Sequence, residues 1–501
     1  MNRCPLKVLL CGLVFGHCVR AEPIALLAQA EPWASVASDD VMVATAPTAT
    51  GGIAIAWDYH AHAGYAGAAR AAPIDWPEDF ELNIPLKGDL NGNVLELKFA
   101  DAANENVWWV RQVKLAIPAA GTVLKIRRRE ILFAWGPSLQ HALTQTARLE
   151  LVVTAQSGAP GAIEVGPLTL TPKAPAPAQP PPVTVLQGAQ RVLLSALSTV
   201  PLPVTAPLVI DWGFVQESGG ARVQWQAAGP HHYTLEHSVD GLEYTPMADI
   251  TGAGRVDWVD FPATDAQYWR LRPAADTPDL GRLVALAPQP GAFGEDPNHR
   301  IAAIARERPR GEYPRGWLEQ TAWTVLGMPE GGVDTDLLSE DGAFELGVGG
   351  PSLESFLTID GVRENWANAT SHVALEGEDL PMPSVTRQHG PIALTATAFA
   401  TARGAAKNSI LIYRLENYDD VTHVVDLDLA VRPLQVNPPT QFLNVAGGYT
   451  PIRAIAWEAA RLMVMTPTQT LALTPSHPPE AISLGAFDLS LIHISEPTRP
   501  Y

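Results

Sequence analysis

Apolar and polar residues alternate along most of this chain in short runs. Ile53, Ile55 and Trp57 alternate with smaller or polar residues, as do Phe80, Leu82 and Ile84. Val94, Leu95, Leu97 and Phe99 follow, then residues 107–110, then Leu124 and Ile126, then Leu149, Leu151 and Val153. A period of two places one side chain inward and the next outward, which is the mark of a half-buried strand. Turn signals separate the runs, among them Asn91-Gly92-Asn93 and Trp135-Gly136-Pro137. Many short strands at this spacing predict antiparallel sandwiches. A second region repeats the pattern through Val209 and Ile210, Val223 and Trp225, 233–239 and 268–272. Its Asp240-Gly241 is a hairpin signal, because a tight primed turn requires positive φ. A third region opens with a predicted helix at 300–308, then returns to strands at 392–399, 409–415 and 424–431.

Proline sharpens the boundaries. The chain has 45 Pro in 501 residues, roughly 9% against a usual ~5%. Residues 173–182 alternate Ala and Pro, which favours an extended spacer over helix or sheet. A second break falls at 288–297. The predicted organisation is a leader at 1–21, a sandwich at 22–172, a spacer at 173–182, a sandwich at 183–286 and a larger sandwich with a short helix at 290–488. The fold class is therefore mostly β.

Residues 1–21 read as a secretory leader. Arg3 and Lys7 precede a short apolar run at 8–16, and Val19-Arg20-Ala21 suits cleavage after Ala21. Such cleavage removes all three cysteines, Cys4, Cys11 and Cys18, and takes the net charge from −19 to −22 by loss of Arg3, Lys7 and Arg20. The expectation is an exported protein, periplasmic or extracellular, with no disulfide. Past the leader, no segment is apolar for the ~20 residues a spanning helix needs. The acidic balance argues against nucleic acid as a partner, since phosphate binding needs a basic surface.

Familiar catalytic motifs are absent from the sequence: there is no Gly-x-Ser-x-Gly elbow, phosphate loop or His-Glu-x-x-His. No catalytic residue, metal ligand or cofactor is named. His60 and His62 would share one face if Asp58 to His62 were a strand, but no third ligand is at hand. His231 and His232 would point to opposite faces. Asp334, Asp336, Glu340, Asp341 and Glu345 do not match the calcium-loop spacing and predict a solvated acidic turn. Trp108 and Trp109 are the candidate binding pair. In a strand they face opposite ways, so one joins the core and the other can offer a flat indole to a sugar, with Arg127 among the donors of the 127–129 run. The competing reading packs both indoles inside and leaves the arginines as a solvated edge.

Three stretches resemble known families. Residues 90–99, 106–110, 126–131 and 133–137 resemble a carbohydrate-binding-module-like jelly roll of the kind at the front of large bacterial carbohydrate-active proteins. That resemblance implies a polysaccharide or oligosaccharide ligand. It also implies a structural calcium, but the matching strand at 164–170 lacks the aspartates. Residues 209–213, 233–241 and 268–272 resemble a discoidin (coagulation factor 5/8 type C) domain, shortened and without its bracketing cysteines. Residues 311–315, 383–386 and 432–439 resemble the sandwich that precedes an (α/α)6 barrel in glycosidase-like enzymes. Residues 489–501 resemble the translation of a DNA-library adapter, so natural sequence is expected to stop near Asp488. Together the resemblances imply the binding front of a larger glycoside-hydrolase-like protein, with the catalytic carboxylates beyond this chain. The alternative is an adhesion or scaffold protein of the cell envelope with no chemistry of its own.

Overall fold

The computed structural model describes residues 23–26, 32–113, 115–327, 335–377, 380–403, 406–441 and 445–485. The leader and the adapter-like tail lie outside them. The architecture is mostly β, built from antiparallel sheets stacked as sandwiches. The chain divides into two compact units between Ala176 and Pro177, inside the Ala/Pro stretch.

The described residues of the first unit form thirteen strands: β1 (Ile24–Ala25), β2 (Ala34–Ala37), β3 (Met42–Pro47), β4 (Ile53–Asp58), β5 (Tyr65–Asp75), β6 (Phe80–Asp89), β7 (Val94–Ala100), β8 (Val107–Gln112), β9 (Thr122–Arg127), β10 (Leu132–Trp135), β11 (Gln145–Thr154), β12 (Gly161–Val165) and β13 (Thr169–Pro172). One sheet runs β1-β13-β6-β12-β4-β3, with β9 beside β6; the other runs β10-β8-β7-β11-β5-β2. Alternation sets what lies between them. Ile55, Trp57, Phe80, Leu82 and Ile84 from the first sheet meet Leu95, Leu97, Phe99, Leu149 and Leu151 from the second in one core. Burial of such side chains, at about 1.5–3 kcal/mol each, holds the layers together without any cysteine. Trp76 stacks on Phe80 and meets Phe99 edge-on, each at 4.9 Å.

In the second unit, two long strands dominate the region up to 289. Leu208–Trp225 and Val256–Pro273 each run 18 residues. Their pairing register shifts twice, between 211 and 216 and again between 218 and 220. Gly213, at φ +82°, supplies the left-handed backbone that the first shift requires. The strands therefore bend, and Trp225, Trp269, Tyr233 and Leu235 of this sheet share one core. Gly241 takes φ +75° in the turn after His231–Ser238.

The stretch at 288–297 is a packed bracket. It forms α1 (Gly291–Glu295), followed by α2 (Pro297–Arg306). Asp296 caps α2 by accepting from Asn298 N at 2.8 Å. Phe293 is buried against Gly220, where an added Cβ would sit 2.4 Å from its ring. Ile301 and Ile304 on α2 pack with Tyr313, Trp317 and Leu434, and Trp258 from the bent strand joins them. Beyond the bracket, the described residues form sheets of six, four and three strands.

Candidate functional site: an open sheet face of rings and charges

Strand parity in the first unit decides which groups meet solvent on the second sheet. Trp108 and Trp109 do face opposite ways. Trp108 is 6% exposed; its indole N–H donates to His141 O at 2.8 Å, and its ring meets Phe133 edge-on at 5.5 Å. Its ring is a core group, closed to a ligand. Trp109 turns outward, half-buried, opposite Lys98 of β7. Arg127 lies elsewhere. It ends β9 on the other sheet and pairs with Glu81 at 3.2 Å. The three sequence candidates are therefore not one constellation: only Trp109 lies on the open face of the second sheet.

Two rings that the alternation pattern did not single out join Trp109. Trp135, at the end of β10, is 48% exposed, and Tyr65, at the start of β5, is 39% exposed. A register shift between Phe133 and Trp135 turns the Trp135 ring outward, where it meets Trp109 edge-on at 5.6 Å. The Lys98 ammonium lies 5.9 Å from the Trp135 ring and 5.5 Å from the Tyr65 ring. Those rings belong to the first and fifth strands of the sheet and Lys98 to the third, so the side chains converge above the middle of the face. The Arg111 guanidinium sits over Trp109 at 5.1 Å.

Carboxylates complete the surface. Glu96 is 4% exposed and is shared by Lys98 at 3.3 Å and Arg111 at 2.9 Å. Its charge is also felt nearby: the Tyr59 hydroxyl, donating to Val153 O at 2.8 Å, is pushed above its ordinary range by burial first and by Glu96 second. Arg148 and Glu150 pair at 2.8 Å on β11. The face thus offers ring planes, fixed donors and fixed acceptors together.

The outer face of the first sheet contrasts with it. Ala44, Ala46, Ala54, Ala56 and Ala162 floor an open trough of about 430 Å³, edged by Lys87 and Glu164. It has no ring and few donors.

Other sequence candidates resolve differently. His60 and Ala61 adopt φ +49° and +66°, and Asp58 Oδ1 accepts from His60 N at 2.9 Å. The segment is a turn after β4, so His60 and His62 are not strand neighbours on one face. Among the described residues, no group of three or more His, Cys, Asp or Glu is placed to hold a metal. His231 and His232 do point to opposite sides, the first buried and the second half-exposed. The acidic stretch is not a solvated turn. Asp336, Asp341 and Glu345 are all buried, while Asp334 lies outside the described residues. Asp341 takes both arms of Arg315 at 2.9 and 2.8 Å. Glu345 accepts from Gly349 N at 2.9 Å and Asn437 N at 2.8 Å, and burial pushes its carboxyl up to about 7. The Asp341-Gly342 turn itself is present, with Gly342 at φ +81°.

Two of the third-region segments with family resemblance, 311–315 and 432–439, meet around this acid group, beside Arg387, which directly follows the third. Arg432 pairs through two contacts with Glu354, Nε to Oε1 at 2.8 Å and Nη2 to Oε2. Its third nitrogen donates to Glu312 O at 2.7 Å. Arg387 donates to Ser355 O and Oγ at 2.8 and 2.7 Å. Between them lies a cavity of about 20 Å³ lined by Arg315, Asp341, Glu354, Arg387 and Trp366, which holds about one water. This cluster is structural framework with no room for a sugar.

No protein-family model matches the chain, and no curated protein matches it. Solved structures do resemble parts of it. The family 11 carbohydrate-binding module of the cellulosomal cellulase Lic26A-Cel5E of Clostridium thermocellum is 14% identical, with a TM-score of 0.25, over 31% of this chain and 97% of that one. Chitosan-binding module 1 of a chitosanase/glucanase from Paenibacillus sp. IK-5 is 27% identical, with a TM-score of 0.15, over 17% and 70%. The β-1,2-glucanase of Parabacteroides distasonis is 10% identical, with a TM-score of 0.22, over 57% and 41%. Among the described residues, no helix is long and apolar enough to cross a membrane.

Proposed function

We propose that the first unit binds carbohydrate on the open face of its second sheet. The observation that carries this reading is the convergence of Trp109, Trp135 and Tyr65 around Lys98. A pyranose has an apolar C–H face and a rim of hydroxyls. Flat amphipathic rings suit the first, at little rotamer cost, and fixed charged donors and acceptors suit the second. Sheet-borne side chains are also held more rigidly than loop-borne ones. In this reading the chain is the exported binding portion of a larger carbohydrate-active protein acting on glycosidic bonds. Tethering raises the local concentration of substrate by linkage, so a weak site is sufficient. The resemblance of 183–286 to discoidin domains adds no ligand residue.

The test is affinity electrophoresis of the full chain through gels containing single soluble polysaccharides. Retardation by at least one polymer, lost in Trp135→Ala, is the expected result. Trp135 is exposed, so its truncation leaves the core intact. Unaltered retardation of Trp135→Ala would move the site off this face. Export is tested separately by fusing residues 1–21 to a reporter enzyme that is active only outside the cytoplasm.

A further inference from the structure

We infer that the ligand of this face is an anionic, carboxylated polysaccharide. The inference rests on the binding reading above and names its substrate class. Its basis is where the cations sit. A neutral sugar stacks best on a bare ring, but here each ring already carries a positive group within 6 Å: Lys98 for Trp135 and Tyr65, Arg111 for Trp109. A pyranose therefore meets ring and cation together. The cost of crowding the ammonium or guanidinium is offset only if the ligand brings a counter-charge.

The charge balance of the face points the same way. Around Lys98 its outward strand positions hold three cations, Lys98, Arg111 and Arg148, and two carboxylates, Glu96 and Glu150; a third carboxylate, Asp75, stands at the far end of β5 and accepts from Gln145 Nε2 at 2.7 Å. One of those carboxylates, Glu96, is shared between two cations, so its single charge leaves the trio net positive. It is buried beneath them, while Arg111 is 44% exposed. Positive charge therefore lies toward solvent and negative charge beneath it. Over the whole face the two signs balance at three each, but around Lys98 the excess is one cation, on a chain whose net charge is −19. At 0.1 M salt the screening length is about 10 Å, so a ligand carboxylate seated among these side chains senses the local excess far more than the distant acids. Arg111 presents a planar fork that matches a carboxylate's two oxygens.

The experiment compares polygalacturonate with its fully methyl-esterified form, the same backbone without charge. It uses the full chain by isothermal titration at 0.1 M and 1 M NaCl. Polygalacturonate is expected to bind about tenfold tighter than the ester at 0.1 M, the worth of one charge-assisted hydrogen bond. That preference is expected to collapse at 1 M, where the screening length is about 3 Å. In Lys98→Gln and, independently, Arg111→Gln, the ratio of acid to ester affinity is expected to fall toward one; two variants guard against misfolding of either. Equal or tighter binding of the ester by the unaltered chain overturns the inference but leaves the site reading standing. Tighter binding of dextran sulfate than of polygalacturonate also overturns it, since it marks unspecific polyanion capture. Failure to bind either pectin form or any neutral glucan overturns the site reading as well.

Discussion

Trp109 in the first unit and Trp366 in the second are both flanked by guanidinium groups, at 5.1 Å for Arg111 and at 4.6 and 4.4 Å for Arg310 and Arg315. Their surroundings differ. Trp366 is buried, and its indole N–H donates to Tyr313 O at 2.9 Å. Its neighbour Arg315 is held by the buried Asp341. Trp109 stands on an open sheet whose ion pairs reach water. The same residue types build a framework where they are enclosed and a contact surface where they are not. What separates the roles is solvent, because an enclosed charge must keep its partner while an exposed one can exchange it for a ligand.

The largest expected effect tests that contrast directly. Glu354→Ala strands Arg432 in the interior and should cost about 3–5 kcal/mol in the melt of the second unit. Glu150→Ala, on the open face, should cost under about 1 kcal/mol. Calorimetry that found the two equal would remove the distinction. Next come the paired tryptophans. Trp108→Ala should destabilise the first unit by about 3–5 kcal/mol, whereas Trp109→Ala should leave the melt nearly unchanged and weaken glycan binding about tenfold, as for a ring at the centre of a contact.

Acidity supplies a third test. The Glu345 carboxyl is raised from 4.5 to about 7 in the folded protein. The folded state therefore binds a proton that the unfolded chain has released. The stability tied to that proton is complete below pH 4.5 and is lost as pH rises toward 7. The loss is on the order of 3 kcal/mol, after which the curve is flat. Glu345→Gln should remove this slope, so the stability difference between the two proteins should change across that window and nowhere above it. Denaturant titrations at pH 4.5, 6, 7 and 8 read it. The smallest effect is expected from Arg310→Ala. Its pair with Glu319 is half-exposed, and breaking it should shift stability by under about 1 kcal/mol.

Strand existence was legible from alternation, because burial of one face imposes a period of two that no other element shares. Ile53, Ile55, Trp57, Leu149 and Leu151 all reach the core as that pattern requires. The opposed facing of Trp108 and Trp109 followed from the same geometry. The rest of the site was not legible. Trp135 reads as part of a turn because Gly136-Pro137 follows it, and only the register shift on β10 turns its ring outward. Tyr65 and Lys98 lie 33 residues apart in the sequence, and nothing local joins them. The acidic stretch misled for a related reason: a run of carboxylates reads as solvated until arginines from distant segments, such as Arg315, enclose it. The helix predicted at 300–308 exists at Pro297–Arg306, its start moved forward by the Asp296 cap. Proline and glycine at 288–297 read as a break, yet Gly294 is there because Phe261 and Gly219 leave no space for a Cβ: one would sit 1.9 Å from Phe261 O and 2.4 Å from Gly219 O.

That bracket bears on how the protein can be recombined. Phe293 stacks on Trp258 at 5.9 Å, α2 ties to the far segment through Asn298, which donates to Gly447 O at 3.0 Å and accepts from Tyr449 N at 2.9 Å, and Arg222 reaches Glu307 at 2.7 Å. Residues 177–289 are therefore not a portable module. Transplanted without the bracket, they would carry a bare glycine socket and an uncovered tryptophan into any new host. A gene fusion that respects the physics must take 177–289 together with everything through Tyr449, or leave both behind.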